Sequence, residues 1–531
     1  MTASFLFKTE PYERQRYALE RSASAEAYAL LMQMRTGKTK VIIDTGTHLY
    51  GQGQIDAVVV VAPKGVHRNW VTEEIPKHAP DEVQPLPVAW AGNNRKRDRE
   101  QWERLFDPGR EGLRYATMNY DAVITSKGKA ELKRLLTTFR CLLVLDESHR
   151  IKTPGAQRTK TLLGAAKYAP YRRILTGTAV TNAGPLDLYT QFKFLDPYIL
   201  GHSTFTSFRA QYAVTEVKLT GTGYGKLRSH HQRKGTQPPS MPTAQDCRSA
   251  GLRMGRDFFE VVTGYENIAE LQRRIAPHAV IVRRDECEDM PTVVKQRLEV
   301  ELAPEQRRIY RDMLEQSIAE LAPPADIDGL TLDEQIAAML AGGDKAKAAN
   351  ALTKLLRLAQ VLGGHIPDED GTVHAIPSNR LKTVMDRLQD IDGKVIIWSR
   401  FRPELAELET AIAKEYGEEA VVAYHGGVSD DAREVAKTRF QNDDTCRYFV
   451  GNPKSGGTGL PLYAADTMIY YSCEPSAETR WQSEERASVS GKHKVLVLEV
   501  VAPGTVDEKV LTGLAENKQT ADDVLGGVVN D

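Results

Sequence analysis

The sequence predicts an α/β protein built on two doubly wound parallel sheets with helical protrusions, and three observations carry that prediction. First, continuous apolar, largely β-branched runs such as Ala57-Val58-Val59-Val60-Val61 and Leu142-Leu143-Val144-Leu145 alternate with helical stretches, the pattern of buried parallel strands joined by crossovers. Second, the pattern returns after residue 390, in Lys394-Val395-Ile396-Ile397-Trp398-Ser399, Val421 to Tyr424, Tyr448-Phe449-Val450, Thr467 to Tyr471 and Val495 to Val500. Third, the residues able to do chemistry follow immediately after strands, where open α/β sheets bind their ligands.

The gross numbers bound what such a chain can be. Its 531 residues leave room for two to four domains with sizeable cores. Seventy basic residues stand against 71 acidic ones, so any nucleic-acid binding must use local patches rather than the field of the whole molecule. The five cysteines (Cys141, Cys247, Cys287, Cys446, Cys473) form no Cys-x-x-Cys pair, which argues for a reducing compartment and against a disulfide framework or a zinc finger. The opening Met1-Thr2-Ala3-Ser4-Phe5-Leu6-Phe7-Lys8 lacks signal-peptide architecture and no apolar run approaches a membrane span, so a cytoplasmic protein is expected.

Within the first half, the run Ala27-Tyr28-Ala29-Leu30-Leu31 leads into Met34-Arg35-Thr36-Gly37-Lys38-Thr39-Lys40 and then Val41-Ile42-Ile43. That is strand, phosphate loop and helix in order. Backbone N–H groups at the helix start hold phosphates, Lys38 reaches the β/γ-phosphates and the Thr39 hydroxyl ligates Mg²⁺. The first glycine of the full phosphate-loop pattern would fall at Met32. The strand Leu142 to Leu145 ends in Asp146-Glu147-Ser148-His149, and two acids at a buried strand end need a partner such as Mg²⁺. In P-loop enzymes an aspartate at this place helps hold the metal; the glutamate beside it is placed to orient the attacking water. A third strand, Arg173-Ile174-Leu175, runs into Thr176-Gly177-Thr178. Upstream, Pro11-Tyr12-Glu13-Arg14-Gln15 reads on its own as a helix start, with Gln15 as an adenine reader in the functional alternative.

Taken together, Gln15, Gly37-Lys38-Thr39, Asp146-Glu147-Ser148-His149 and Leu175-Thr176-Gly177-Thr178-Ala179 resemble motifs Q, I, II and III of superfamily 2 helicases. The connecting text narrows the resemblance to the Swi/Snf-type DNA translocases. Pro63-Lys64 with Asn69-Trp70 looks like motif Ia, Asn119-Tyr120-Asp121 like the "TYD" segment, and Asp146 through Lys152 like "DEAHRIKN". In the second half, Ser399 to Arg402 and His425-Gly426 resemble motif IV and its neighbour, and Lys454-Ser455-Gly456-Gly457-Thr458-Gly459-Leu460 resembles motif V. Thr505-Val506-Asp507-Glu508-Lys509 resembles the closing "TIDEKI" helix. The resemblance implies two RecA-like lobes, residues 1–285 and 286–531, with protrusions at about 201–275 and 300–375. It implies ATP and Mg²⁺ as cofactors. Gln15, Arg35, Thr36, Gly37, Lys38, Thr39, Lys40, Gly457, Gln482 and Arg486 would bind ATP, with Thr39 and Asp146 on the metal. Lys38, Asp146, Glu147 and Arg486 would be catalytic, and His149, Thr176, Gly177 and Thr178 would couple the lobes. DNA would meet Lys64, Asn119, Tyr120, Ser399, Arg400, Arg402, His425, Gly426, Lys454, Ser455 and Thr458.

Two stretches depart from the family pattern. Residues 218–256 carry glycine, proline, serine and eight basic residues against one acid, Asp246. This stretch reads as a solvated loop or as a phosphate-contacting one, with a metal site from His230, His231 and Cys247 unsupported by spacing. Motif VI, "QAxDRAHRIGQ" in the family, is here Gln482 through Lys492; its first arginine is kept as Arg486, but Val489 stands where the second, the usual finger, belongs. Lys492 and Lys494 carry charge nearby without an arginine's planar fork.

The reading is an ATP-dependent double-stranded-DNA translocase acting as a monomer, with contacts mainly to the backbone. With no bromodomain-like, zinc-finger or nuclease-like extension, the compact form is similar to standalone prokaryotic or phage members that remodel forks or branched DNA. The rivals are a strand-separating helicase and an ATP-gated DNA clamp whose hydrolysis is slow or lost; Glu147 has little use in a clamp.

Overall fold

A computed structural model describes residues 5–92, 95–219, 221–254, 256–284, 286–287, 290–321, 345–368, 370–455, 462–488 and 494–526. The first half contributes strands β1 (Ala27–Met32), β2 (Ala57–Ala62), β3 (Leu86–Ala89), β4 (Arg114–Asn119), β5 (Cys141–Asp146), β6 (Tyr171–Leu175), β7 (Ala213–Leu219), β8 (Phe258–Tyr265) and β9 (Ala279–Val282). Seven of them form a parallel sheet in the order β3-β4-β2-β5-β6-β1-β9. Alternation puts Leu31, Val59, Val61, Leu143 and Leu145 into the core on one face, and Leu30, Met32, Val58, Val60, Leu142 and Val144 into the core on the other. A sheet buried on both faces needs uninterrupted apolar strands, which is why these runs are legible in the sequence.

The second half contributes β10 (Thr292–Glu299), β11 (His365–Pro367), β12 (Val373–Ala375), β13 (Lys394–Trp398), β14 (Val421–Tyr424), β15 (Tyr448–Gly451), β16 (Ala465–Tyr470) and β17 (Lys494–Val501). Six form a second parallel sheet, β10-β17-β16-β13-β15-β14, again with a core on each face. The fold is two doubly wound RecA-like lobes. A helical protrusion stands on the second, where Tyr310 of the helix Pro304–Leu321 is buried against Leu358, Val361 and Leu362 of the helix Lys345–Leu362. Residues 323–344, an Ala/Asp/Gly-rich stretch, lie outside the described residues. The last helix, Val506–Gly526, buries Leu511 and Leu514 in the second lobe and Val524 in the core of the first.

The basic stretch 218–256 is not a bare loop. β7 and β8 pair antiparallel from Ala213↔Tyr265 to Leu219↔Phe258, and the helices Gly221–Arg233 and Ala244–Ser249 sit between them. Leu227, Cys247, Leu252 and Phe258 make a small separate core. Cys247 is therefore a packing residue, and among the described residues no cluster of three or more His, Cys, Asp or Glu suits a metal ion. β7 and β8 pair only with each other and β7 is largely exposed, so neither shows the long buried apolar run that marks the strands of the two main sheets.

Candidate nucleotide cleft between the lobes

β6 lies between β5 and β1, so three strand ends place their loops side by side: the acid pair after β5, Thr176-Gly177-Thr178 after β6 and the phosphate loop after β1. Gly177 is required there, since a Cβ would lie 2.8 Å from the Met34 main-chain nitrogen. At the phosphate loop, Gly37 has φ 92° and caps the helix Lys38–Gly51. Any side chain at Gly37 would also meet Gln15, whose Nε2 sits 1.8 Å from the ideal Cβ position and donates to the Gly37 carbonyl at 3.3 Å. Gln15 Oε1 accepts from Tyr12 N at 2.8 Å, and this double use of its amide ties the N-terminal helix Glu13–Ser22 to the loop.

Lys38 is nearly buried, its Nζ donating to the carbonyls of Met32 at 2.9 Å and Gln33 at 3.2 Å. Thr39 lines the same cleft. Thr36 and Lys40 are engaged elsewhere. The Thr36 hydroxyl closes onto Gln33 O at 2.7 Å, and Lys40 pairs with Asp44 of the same helix at 2.8 Å in a buried contact, so protein partners hold these two side chains. Burial pushes the Asp44 carboxyl up to about 6 even against Lys40.

Asp146 and Glu147 are both buried. Asp146 Oδ2 accepts from the Trp70 indole at 3.0 Å; Trp70 begins a π-helical turn, Trp70–Glu74, within the helical segment after β2. Burial, then the neighbouring Glu147 charge, pushes the Asp146 carboxyl above the usual carboxylate range. Glu147 holds a left-handed backbone (φ 56°, ψ 56°), as does Arg35 (φ 64°), and non-glycine residues kept there sit at functional strand ends more often than elsewhere. Glu147 Oε2 lies 3.3 Å from His149 Nδ1. That nitrogen also lies 3.1 Å from the Thr176 hydroxyl and 3.0 Å from that of Thr178. Burial alone would push the His149 imidazolium down, but Glu147 and Glu478 outweigh it and hold it up at about 9.

The second lobe closes the other wall. The helix Ala477–Glu484 is fixed by buried Arg480, which pairs with Glu484 at 2.6 Å, reaches Glu499 and stacks on Tyr470. It carries Gln482, whose amide nitrogen is buried without a hydrogen-bond partner among the described residues. Arg486 is buried over the Trp398 ring, and burial lowers its guanidinium to about 10. Across the gap Arg35 Nε donates to Glu485 O at 3.1 Å, and the Glu485 carboxylate lies 3.5 Å from Arg284. Gln15, Arg35, Gly37, Lys38, Thr39, Lys40, Asp146 and Glu147 from one lobe and Gln482, Glu485 and Arg486 from the other line a single cavity of about 650 Å³. Hard oxygen donors (the Thr39 hydroxyl and the Asp146 carboxylate), a lysine and an orphaned amide suit a nucleotide triphosphate with Mg²⁺. Gly457 and Val489 lie outside the described residues.

Trp70, Glu478, Glu485 and Arg284 escaped the sequence reading as site residues. Only Trp70 left a signal, an indole just past a strand end, where a polar handle seeks a buried partner.

The residues predicted to face DNA divide. Lys64 and Arg402 are exposed, with the Arg402 guanidinium beside Gly426. His425 is half-buried and accepts from Gly427 N at 3.1 Å, and Ser455 is half-buried. Arg400 and Lys454 share Glu474, at 3.5 and 3.0 Å. Three side chains are occupied in support instead. Tyr120 is buried and donates to the Asp146 carbonyl at 2.9 Å; Ser399 is buried and donates to Glu404; Asn119 Oδ1 caps the turn at Asp121 N and Ala122 N. Burial of the strand ends draws these polar groups inward. Thr458 lies outside the described residues.

Comparison with known proteins identifies the family. Residues 17–362 match the model of the SNF2-related domain, and residues 379–489 match that of the helicase conserved C-terminal domain. The chain belongs to the SNF2-related family. This Swi/Snf-type family of helicase superfamily 2 comprises DNA-dependent ATPases. Protein CHROMATIN REMODELING 4 of Arabidopsis thaliana is 24% identical over 396 residues, 72% of this chain and 15% of that protein. The putative ATP-dependent helicase/translocase YwqA of Bacillus subtilis is 23% identical over 537 residues, 99% of this chain and 49% of that protein. The chain thus spans less than half the length of these relatives. A solved structure, the Sulfolobus solfataricus SWI2/SNF2 ATPase core in complex with dsDNA, aligns over 99% of this chain and 98% of that one at 20% identity, with a TM-score of 0.38. Among the described residues, no helix is long and apolar enough to cross a membrane.

Proposed function

We propose that this SNF2-type chain hydrolyses ATP in the inter-lobe cleft and uses the cycle to translocate along double-stranded DNA. The observation that carries this is the single cavity in which Lys38, Thr39, Asp146 and Glu147 face Gln482 and Arg486 of the opposite lobe. Lys38 and the N–H groups at the start of the helix Lys38–Gly51 hold the phosphates; Thr39 and Asp146 would hold Mg²⁺, which would supply charge neutralisation at the phosphates when bound. Glu147 orients the attacking water, and Arg486 meets the γ-phosphate from the second lobe. The division between lobes at residues 285 and 286 is part of this reading.

DNA then lies along Lys64, Arg402, His425, Gly426, Lys454 and Ser455, with contacts to phosphates and therefore salt-sensitive affinity. The basic arm between β7 and β8 supports a further phosphate contact, since Arg228, Arg233, Lys234 and Arg253 are all exposed on it. Remodelling of forked or branched DNA in a prokaryotic or phage-infected cytoplasm is the role we assign to such a motor. The test pairs displacement of a third strand from a triplex with displacement of one strand of a duplex. ATP-dependent triplex displacement without duplex opening is expected. Duplex opening makes the chain a strand-separating helicase, and ATP-dependent binding with neither output makes it a clamp.

A further inference from the structure

His149 stands between a carboxylate of each lobe, Glu147 and Glu478. Its Nδ1 lies 3.3 Å from Glu147 Oε2, and its Nε2 lies 3.0 Å from Oε1 of Glu478, on the helix Ala477–Glu484 of the second lobe. The Nε2 contact is an ion contact of close approach rather than an aligned hydrogen bond. The ring is 1% exposed while the Glu478 side chain is 29% exposed, so the two ends differ. The Glu147 end is sealed among the Thr176 and Thr178 hydroxyls. The Glu478 end opens on a cavity of about 310 Å³ lined by Arg150, Lys152, Thr153 and Arg158.

That asymmetry matters for what the contact can do. A carboxylate beside a water-filled pocket is released from its partner at little desolvation cost, unlike one sealed in a core. Lys152 lies 3.8 Å from Glu478 Oε2, but it also donates to the Thr181 hydroxyl at 2.6 Å and faces Asp187 at 3.9 Å, so it keeps partners in its own lobe when Glu478 leaves. An imidazole is rigid, and pulling its Nε2 edge turns its Nδ1 edge. We propose that Glu478 is a positioning residue: in the closed arrangement it fixes the His149 ring, and through it the Glu147 carboxylate, so that water is aligned only when the lobes meet. This deepens the proposed ATP hydrolysis and rests on the reading of Glu147 as the residue that orients water.

The test is steady-state hydrolysis by the full chain with saturating duplex, comparing Glu478→Gln, Glu478→Asp, His149→Ala, Glu147→Gln and the double variant Glu478→Gln/His149→Ala, with thermal melting as a check on folding. Loss of an outer-shell partner of this kind lowers turnover on the order of 10–100-fold. The expected result is such a fall in kcat for Glu478→Gln with KM for ATP within about two-fold of wild type, partial rescue by Glu478→Asp, and no further loss when Glu478→Gln is added to His149→Ala. Unchanged kcat, a change confined to KM, or losses that multiply in the double variant overturn the inference while leaving ATP hydrolysis in place. Turnover that survives Glu147→Gln overturns the reading of Glu147 as the residue that orients water, no turnover in wild type overturns the hydrolysis reading, and either takes this inference with it.

Discussion

The two walls of the cleft are built differently. On the first lobe, three groups are fixed by their own lobe's main chain or buried side chains: Lys38 by the Met32 and Gln33 carbonyls, Asp146 by Trp70, Gln15 by Tyr12 and Gly37. On the second, Arg486 and Gln482 sit on a helix and turn, and the contacts that cross the gap are ionic or single: Arg35 to Glu485, Arg284 to Glu485, Glu478 to His149. One wall is preorganised and the other is docked. Groups fixed before the ligand arrives need no reorganisation during reaction, whereas docked groups let the wall come and go with each turnover.

Substitutions on the two walls should therefore fail in different ways. The largest effect is expected from Glu147→Gln, which keeps shape but removes the base: kcat should fall by about 10²–10⁴-fold while binding of a fluorescent ATP analogue persists. Arg486→Ala on the docked wall should cost about 10³-fold in kcat if it serves as the finger does in related NTPases, and Arg486→Lys should rescue little, because a lysine lacks the planar fork. A near-normal rate in Arg486→Ala would break the comparison by making the second wall dispensable. Trp70→Phe strips a donor from a buried carboxylate and should lower unfolding stability by about 1–3 kcal/mol, read by urea denaturation.

The smallest effect is on pH. His149 is raised from 6.5 to about 9, so its contribution is complete below pH 6.5 and is lost as pH rises through 9. For Glu478, burial pushes the carboxyl up, but His149, Lys152 and Arg150 outweigh it and hold it at about 2, so its contribution is present above pH 4.5 and lost only as pH falls through 2. The cross-lobe pair is strongest between pH 4.5 and 6.5 and weakens toward 9. With Glu147, Lys152 and Arg150 facing the same ring and carboxylate, wild-type and Glu478→Gln rates should converge as pH rises to 9 and above.

The difference between the walls also explains what was legible in the sequence. The first lobe's chemistry follows buried parallel strands, so Ala57 to Val61 and Leu142 to Leu145 announce both the sheet and the loops that end it. Gly37 and Gly177 were readable because backbone geometry permits nothing larger there. Glu478 and Glu485 were not, since carboxylates on a short helix and just past its end are ordinary surface residues until tertiary packing sets them against His149 and Arg284. Tyr120 and Ser399 misled for the related reason that a motif names positions and not which way a side chain faces. The β7–β8 arm was hidden because its two strands pair only with each other and its small apolar core, Leu227, Cys247, Leu252 and Phe258, is scattered along the chain.

The most direct measurement is steady-state ATP hydrolysis with no DNA, with duplex and with single strand, for wild type and Glu147→Gln side by side. Strong stimulation by duplex that Glu147→Gln abolishes is the predicted result, and it makes the docked wall a motor part with Arg486 or a nearby lysine sufficient for turnover. Duplex binding that depends on ATP but brings no hydrolysis contradicts the account and leaves an ATP-gated clamp.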